Sequence, residues 1–402
     1  MGGAANKRIA RAVAIRDLQA LARKRLPKAI YDFIEGGCDD ESCLSANEAA
    51  FAAMRFTPRY LVDVSARDQR RSLFGHRCAS AFGIAPTGLN GLYRRQADQM
   101  LLQAAAGTNT PFVLSGVGTA TYEEAQSAWP PSWLQLYIAK TESIWRRQLE
   151  SAMDAGFRTL VVTVDVPASS KRERNAKRGW SLSASAAPNM SMMLDGLRYP
   201  DWTLAFLRHG FPFLHAWREF AQENANAREV SAIFTAQCPA PQSWALLADI
   251  RKLWRGNLIL KGVLHPEDAR LALEHGCDGI IVSNHGGRQF DRAIPAIHAL
   301  PAIHSAVNGK ALVMVDSGIR RGADIVAALA LGADYSWVGR ATLYGVIAGG
   351  APGARRAIDI LQQEVDLCMA QLGLTSLDSV SRDILHTTTS AAPQPRDLAP
   401  VY

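Results

Sequence analysis

The chain has 402 residues, of which 48% are hydrophobic and 20% are charged, and its formal net charge is +7. This composition excludes a disordered or fibrous protein, and no stretch reaches the roughly 18 apolar residues that a membrane-spanning helix needs. The positive charge favours anionic partners, such as an acidic substrate, a phosphorylated cofactor or an anionic membrane face. Nucleic acid is not expected, because the basic residues are dispersed and no nucleic-acid-binding module is visible.

The expected compartment is the cytoplasm. The first 17 residues carry charges where a secretion signal needs an apolar core. The cysteines form no CxxC pair and have no histidine cluster beside them, which favours reduced thiols and gives no indication of a metal site. There are six of them: Cys38, Cys43, Cys78, Cys238, Cys277 and Cys368.

Eight short apolar segments, taken in chain order, predict strands buried on both faces of a parallel sheet. They are Gly83–Gly88, Pro111–Ser115, Trp133–Tyr137, Thr159–Val166, Leu258–Gly262, Gly279–His285, Ala311–Gly318 and Tyr335–Arg340. Helical patterns with Pro or Gly at their ends lie between several of them: Ala97–Gly107, Pro266–Gly276 and Arg321–Gly332. The alternation predicts an α/β protein, either a (β/α)8 TIM barrel or a doubly wound open sheet. Polar residues after nearly every strand favour the barrel.

Three regions fall outside this alternation. Residues 1–80 predict an N-terminal helical extension before a barrel of residues 81–385. Residues 175–240 form a long insert after the fourth strand. Residues 386–402 are rich in Thr, Ala and Pro and predict a flexible tail or an intersubunit arm.

The insert combines aromatic residues and methionines with basic residues. This mixture predicts attachment to a membrane surface, and the alternative is a lid or an oligomer contact that buries the same side chains. The residues are Trp180, Tyr199, Trp202, Phe206, Phe211, Phe213, Trp217, Phe220, Met190, Met192 and Met193, with Arg198, Arg208 and Arg218 among them.

Polar and charged residues follow all eight predicted strands, at the barrel end where functional residues gather. One such residue alone is more often a helix cap or a solvated surface group, but the whole set points to an active site. The set is Thr87 and Gly88; Ser115; Gln135 and Tyr137; Thr163, Asp165 and Arg172; Lys261; Ser283, His285 and Arg288; Asp316, Gly318 and Arg320; Gly339 and Arg340.

Residue chemistry divides this set into a phosphate end and a catalytic end. Glycine and arginine after the last two strands predict a phosphate site. His285 has the side chain best suited to exchange a proton near neutral pH, and Arg288 can clamp a carboxylate with two parallel hydrogen bonds. Asp165 is placed to orient the histidine. Lys261 is placed to face a cofactor atom that becomes negative on reduction.

Ser283–Arg288 (SNHGGR) and Asp316–Gly322 (DSGIRRG) resemble the FMN-dependent 2-hydroxy-acid oxidase and dehydrogenase family. The likeness spans roughly residues 20–385 and implies FMN as cofactor, a 2-hydroxy-acid substrate and a homotetramer. Further matching segments are Leu26–Lys28, Ala85–Gly88, Gln135–Tyr137, Thr163–Asp165, Leu260–Gly262 and Gly339–Arg340.

The resemblance also implies a role for each residue. His285 is the base, Asp165 its partner, and Tyr137 hydrogen-bonds near the substrate hydroxyl. Arg288 and Arg172 bind the substrate carboxylate. The remaining residues hold the cofactor: Thr87, Gly88, Ser115, Gln135, Thr163, Lys261 and Ser283 at the ring system, Asp316 at the ribityl chain, and Gly318, Arg320, Gly339 and Arg340 at the phosphate.

One position departs from the family pattern. Phe33 stands where the family usually has a tyrosine whose hydroxyl helps to bind the substrate carboxylate. We therefore expect weaker binding of small hydroxy acids and a pocket biased towards larger or more apolar ones.

Thr87–Gly91, the insert and Gly339–Gly345 resemble the mandelate dehydrogenase branch of the family most. This branch implies oxidation of (S)-mandelate to benzoylformate, attachment to the inner face of the cell membrane and a quinone as electron acceptor. The alternatives are an L-lactate dehydrogenase or an oxidase of long-chain or aromatic hydroxy acids that uses oxygen. A barrel that binds flavin without catalysis, with the insert as a membrane or partner module, is an alternative of another class.

Overall fold

The computed structural model describes residues 7–178 and 190–386. Before the barrel, the described residues include three helices of eight or more residues and a two-stranded antiparallel hairpin that the sequence pattern did not predict. The helices are α1 (Ile15–Arg23), α2 (Lys28–Glu35) and α3 (Ser42–Ala53), and the hairpin strands are β1 (Arg71–Leu73) and β2 (His76–Cys78).

Eight parallel strands form one sheet in which the second to the eighth strand pair in chain order and the eighth strand also pairs with the first. A backbone bridge between Ile84 and Phe112 joins the first strand to the second and closes the barrel. The predicted (β/α)8 barrel is therefore confirmed. Its strands are β3 (Phe82–Ile84), β4 (Val113–Leu114), β5 (Trp133–Leu136), β6 (Thr159–Thr163), β7 (Asn257–Val263), β8 (Gly279–Val282), β9 (Leu312–Val315) and β10 (Tyr335–Val338).

Most predicted strands ran too far at their carboxyl ends. Most of the polar residues lie in the loops above the sheet, whereas Gln135, Thr163 and Lys261 lie within the strands themselves. The helix predicted as Ala97–Gly107 extends to Thr108 and ends at Asn109, which adopts the left-handed conformation (φ 48°) of a C-terminal cap.

The helices after the first barrel strand are α4 (Asn90–Tyr93), α5 (Ala97–Thr108), α6 (Tyr122–Ala128) and α7 (Glu142–Asp154). Those of the insert region are α8 (Glu173–Ala176), α9 (Met190–Gly196), α10 (Pro200–His209) and α11 (Ala227–Gln237), with a 3-10 turn at His215–Phe220. After the insert come α12 (Trp244–Leu253), α13 (Pro266–Glu274), α14 (Ala296–Val307), α15 (Gly322–Ala330) and α16 (Arg340–Leu372). Helix α16 is broken at Gly350 (φ 63°) and packs against α1 and α5.

The barrel interior is filled with side chains. Trp133 and Trp337 meet inside it with ring centroids 4.8 Å apart, and Phe74 of the hairpin turn lies 5.6 Å from Trp133. The hairpin thus covers the end of the barrel opposite the polar strand ends. This apolar filling leaves only the carboxyl ends of the strands available for a site.

Most described aromatic side chains of the insert pack against the protein core, so they are buried as the alternative to membrane attachment expected. Trp217 is 1% exposed and donates to the carbonyl of Gly116, and Trp202 donates to the carbonyl of Leu92. Phe206 stacks on Trp202 with a centroid separation of 5.1 Å. Trp180, the side chains of Met192 and Met193, and the tail after residue 386 lie outside the described residues. In the described ranges, no helix is both long and apolar enough to cross a membrane.

Candidate active site

His285 and Asp165 meet at the carboxyl ends of β8 and β6. His285 Nδ1 lies 2.9 Å from Asp165 Oδ1, and His285 Nε2 lies 3.4 Å from the hydroxyl of Tyr137. Burial opposes the charge of Asp165, but the contacts with His285 outweigh it and lower the pKa of this carboxyl. An ionised Asp165 accepts a hydrogen bond from Nδ1–H. The tautomer this favours leaves Nε2 free to accept a proton from the cavity.

The backbone after β8 explains why two glycines follow His285. Residues His285, Gly286 and Gly287 all have positive φ, at 58°, 65° and 73°. A Cβ on Gly287 would lie 2.5 Å from the backbone nitrogen of Leu44 in α3. The glycines therefore let the loop turn sharply beneath α3, and this turn directs the imidazole into the site.

Two arginines lie at one wall of the site. Arg288 Nη1 donates to the carbonyls of Ile34 and Gly36, at 3.3 and 2.8 Å. Burial and the neighbouring charge of Arg172 lower the pKa of Arg288 to about 9. Burial likewise lowers the pKa of Arg172. Within the described ranges neither guanidinium forms an ion pair, so this wall is suited to a carboxylate from outside the chain.

Lys261 forms a buried ion pair. Its ammonium lies 2.9 Å from Asp316 Oδ2 and donates to Ser283 Oγ at 2.9 Å, and Lys261 is only 4% exposed. Burial opposes the charge of Lys261, but Asp316 and Asp165 raise its pKa above the usual value. The ammonium therefore stays charged in a site of low polarity, where it can stabilise a negative group.

Unpartnered polar atoms test whether these residues fit a flavin. Gln135 accepts hydrogen bonds from Ser115 Oγ and the Gly116 nitrogen through Oε1, which leaves its amide Nε2 buried with no partner among the described residues. Thr163 Oγ1 is also buried and has no hydrogen-bond partner among the described residues. Both side chains line the central cavity. A bound ring with hydrogen-bonding edges would satisfy them, as the isoalloxazine of FMN does, and the site fits the group.

At the predicted phosphate end, the guanidinium of Arg340 donates to the carbonyls of Ile34, Gly286 and Gly36. This side chain therefore joins the end of α2 to the loop after β8. Arg340 begins α16, and the free backbone N–H groups of that first turn are donors suited to an anion.

The other residues of the predicted phosphate end are Arg320, Gly318 and Gly339, and each has different contacts. Arg320 lines the cavity and pairs with Glu48 at 3.1 Å. Gly318 (φ 98°) is required by packing, since a Cβ there would lie 2.7 Å from the carbonyl oxygen of Asn47. A Cβ on Gly339 would meet only side-chain carbons at 3.6 Å or more, so its backbone is open to a ligand.

A cavity of about 580 Å³, within the usual size range of small-molecule sites, is lined by most of the predicted site residues but not by Asp165, Ser115 or Ser283. Thr87 and Gly88 line it beside Val117, and Asp316, Lys261 and both arginines line it elsewhere. The lining residues that were not predicted from the sequence include Tyr93, Val117 and Phe234. Phe234 lies in the insert and contacts Tyr137 with ring centroids 6.0 Å apart, a long-range contact that has no local sequence signal.

The fold and site define a barrel oxidoreductase with a cofactor cradle and an acid–base histidine. The family model for FMN-dependent dehydrogenases matches residues 22–387, and the chain belongs to that family and uses FMN.

Similar proteins agree over nearly the whole chain. (S)-mandelate dehydrogenase of Pseudomonas putida is 39% identical over 383 residues, covering 94% of this chain and 95% of the relative. L-lactate dehydrogenase of Pectobacterium atrosepticum is 37% identical, covering 93% and 96%. A crystal structure of the monotopic membrane protein (S)-mandelate dehydrogenase superposes with a TM-score of 0.89 at 37% identity, covering 94% and 99%. A mandelate oxidase structure gives 0.77 at 30% identity, covering 93% and 98%.

Proposed function

We propose that the protein oxidises (S)-mandelate to benzoylformate with FMN as cofactor. The observation that carries this proposal is the wall of the cavity. Phe33, Tyr93, Val117 and Phe234 line it together with the paired arginines. A carboxylate beside the arginines would leave an aryl group against apolar side chains, which favours mandelate over lactate or glycolate.

The residues of this chain have separable tasks in the reaction. Arg172 and Arg288 hold the carboxylate and thereby fix the α-carbon. His285 Nε2 takes up a proton from the substrate, and Asp165 stabilises the imidazolium that forms. Bound FMN supplies the two-electron acceptor. Lys261, charged and excluded from water, favours negative charge at the cofactor.

The proposed site roles assign Ser115, Gln135, Thr163 and Ser283 to the ring system of FMN. Gly318, Arg320 and the start of α16 at Gly339–Arg340 are assigned to the phosphate. The unpartnered atoms of Gln135 and Thr163 support the first assignment. The free N–H groups of a helix N-terminus support the second.

Addition of (S)-mandelate to the purified protein without oxygen tests the proposal. Bleaching of the visible flavin band within seconds is expected, with slower or weaker bleaching by L-lactate, glycolate and a long-chain 2-hydroxy acid. If L-lactate reduced the flavin faster than (S)-mandelate, lactate would replace mandelate as the proposed substrate. A flavin that none of these acids reduces would contradict an enzymatic role.

We also propose that the insert places the protein on the inner face of the cell membrane, with a quinone as electron acceptor and a homotetramer as the assembled form. Four leucines of the insert are between 58% and 76% exposed, and we call them the leucine patch: Leu194, Leu197, Leu204 and Leu207. Exposed Arg198 and Arg208 flank them. Apolar side chains bordered by cations favour an anionic bilayer surface. Rapid oxygen consumption with mandelate in detergent, without reduction of an added quinone, would contradict the proposed acceptor.

A further inference from the structure

The arginine wall of the cavity is built around the ring of Phe33. The guanidinium carbon of Arg172 lies 5.2 Å from the ring centre and that of Arg288 lies 5.3 Å from it. Arg288 also directs Nη1 to backbone carbonyls, so a ligand carboxylate meets its remaining N–H groups. The ring itself offers no hydrogen-bond donor. A carboxylate held only by the arginines would therefore lack a neutral donor on the Phe33 side.

A second aromatic residue reaches the same wall. Tyr93 is the last residue of α4, is 5% exposed and lines the cavity. Its ring centroid lies 6.4 Å from that of Phe33. Within the described ranges its hydroxyl makes no hydrogen bond to the protein, although a buried hydroxyl normally has a partner. The ring next to Phe33 therefore carries the hydroxyl donor that Phe33 lacks.

The charges around Tyr93 agree with this placement. Burial raises the pKa of Tyr93 to about 12, while Arg288 and Arg172 act in the opposite direction. The hydroxyl is therefore close to both cations and stays protonated at neutral pH. Tyr93 also acts on the pKa of each arginine more strongly than Tyr137 does. Of these two tyrosines, Tyr93 belongs to the carboxylate end and Tyr137 to the histidine end.

We propose that the Tyr93 hydroxyl donates a hydrogen bond to the substrate carboxylate alongside Arg172 and Arg288, supplying from α4 the contact that Phe33 does not make. The proposal rests on the proposed function only in taking a 2-hydroxy acid as the ligand. It adds a substrate-binding residue and explains how a phenylalanine is tolerated at position 33. Position 33 then presents a hydrocarbon ring to the ligand, which suits an apolar substituent.

A double-mutant cycle on the holoenzyme tests the proposal. Benzoylformate is titrated into the oxidised flavoprotein, and binding is followed by the change in flavin absorption and by calorimetry, so that turnover is not needed. Tyr93→Phe is expected to weaken binding about 10- to 100-fold, as the loss of a hydrogen bond to a charged group does. Phe33→Tyr should restore most of this loss in the Tyr93→Phe background, but should tighten binding by less than about 3-fold in the parent.

Two controls separate this role from a structural one. Tyr31→Phe changes a tyrosine of α2 whose hydroxyl donates to Glu35, and benzoylformate should bind it as it binds the parent. Benzoylformamide, which lacks the carboxylate, should bind the parent and Tyr93→Phe equally. Equal benzoylformate affinity in the parent and Tyr93→Phe, or the same gain from Phe33→Tyr in both backgrounds, would overturn the proposal. A parent that binds benzoylformate but is not reduced by mandelate would contradict the proposed function alone.

Discussion

His285 Nδ1 and Asp165 Oδ1 lie 2.9 Å apart although the two residues are 120 positions apart in sequence. The pairing fixes the tautomer in which Nε2 faces the cavity. We expect Asp165→Asn to lower kcat about 10²- to 10⁴-fold, the range that general-base catalysis contributes, because an amide can also donate and can stabilise the wrong tautomer. Stopped-flow measurement of flavin reduction by (S)-mandelate gives this rate directly.

His285→Ala should cause a loss at least as large as Asp165→Asn. In both variants the affinity for benzoylformate should stay within about 3-fold of the parent, since the arginine wall is unchanged. An Asp165→Asn enzyme with near-parent kcat would show that the histidine does not depend on its carboxylate. A large loss of benzoylformate binding would show that the pair acts in ligand binding instead.

Ligand binding should depend on pH through Arg288. Its pKa is lowered to about 9, whereas those of Tyr93 and Tyr137 are raised to about 12, so Arg288 is the first of these three groups to lose a proton, and with it its positive charge, as pH rises. Below pH 9 the guanidinium is charged and binds the carboxylate. Above pH 9 the Kd for benzoylformate should rise by up to tenfold per pH unit, measured by titration between pH 7 and 10.

The neutral analogue benzoylformamide is the control for that experiment. Its Kd should change little over the same pH range, because it does not need the positive charge. A Kd for benzoylformate that stays constant up to pH 10 would show that Arg288 remains charged. Parallel increases for both ligands would point to a change in the protein outside the arginine wall.

The buried pair of Lys261 and Asp316 should contribute strongly to stability. Asp316→Asn keeps the shape but leaves the ammonium without its carboxylate, and breaking a buried ion pair costs about 3–5 kcal/mol. We expect a lower Tm and a lower FMN content in the purified protein. Asp359→Asn, which breaks an exposed pair with Arg355 on α16, should change neither. Equal Tm values for the two variants would contradict a stabilising role of the buried pair.

The eight strands were predictable because strands buried on both faces are near-continuous apolar runs. The hairpin Arg71–Cys78 was not, because its strands are three residues long and its stability comes from packing under the barrel rather than from its own pattern. For the insert aromatics the sequence allowed either a membrane surface or burial, and it could not decide between them. Trp202 and Trp217 are fixed by carbonyls more than 100 positions away, and composition carries no information about such contacts.

The candidate site likewise contains residues that the sequence could predict and residues that it could not. His285, Asp165 and Arg288 could be predicted to lie close together because strand ends gather their loops at one face of the barrel. Tyr93 was missed because α4 is only four residues long, so no helical pattern shows which side chain faces the cavity. The contacts of Arg340 were not predictable either, since its three carbonyl partners come from the end of α2 and the loop after β8, whose approach depends on the whole fold.

Gly88 should limit the size of the substrate pocket through Val117. A Cβ on Gly88 would lie 2.4 Å from Val117 Cγ2, closer than atoms approach, so one of the two residues must move. We expect Gly88→Ala to raise KM for (S)-mandelate at least 5-fold, with a smaller effect on the shorter substrate glycolate, because overpacking displaces the cavity wall. The double variant Gly88→Ala/Val117→Ala should regain most of the affinity. A double variant as poor as Gly88→Ala would place the defect at the cofactor instead.

Membrane attachment should depend on the leucine patch rather than on the insert aromatics. Leu204 and Leu207 are 66% and 76% exposed on α10, whereas Trp202 on the same helix is held by the carbonyl of Leu92. Leu204→Glu/Leu207→Glu removes two apolar contacts and adds charges that an anionic surface repels, so we expect at least tenfold weaker co-sedimentation with vesicles of phosphatidylglycerol and phosphatidylethanolamine. Leu367→Glu, at a 57% exposed leucine of α16, is the matched control and should sediment like the parent. Mandelate-dependent flavin reduction should be unchanged in both variants. Equal sedimentation of both variants would exclude this face of α10 as the docking surface.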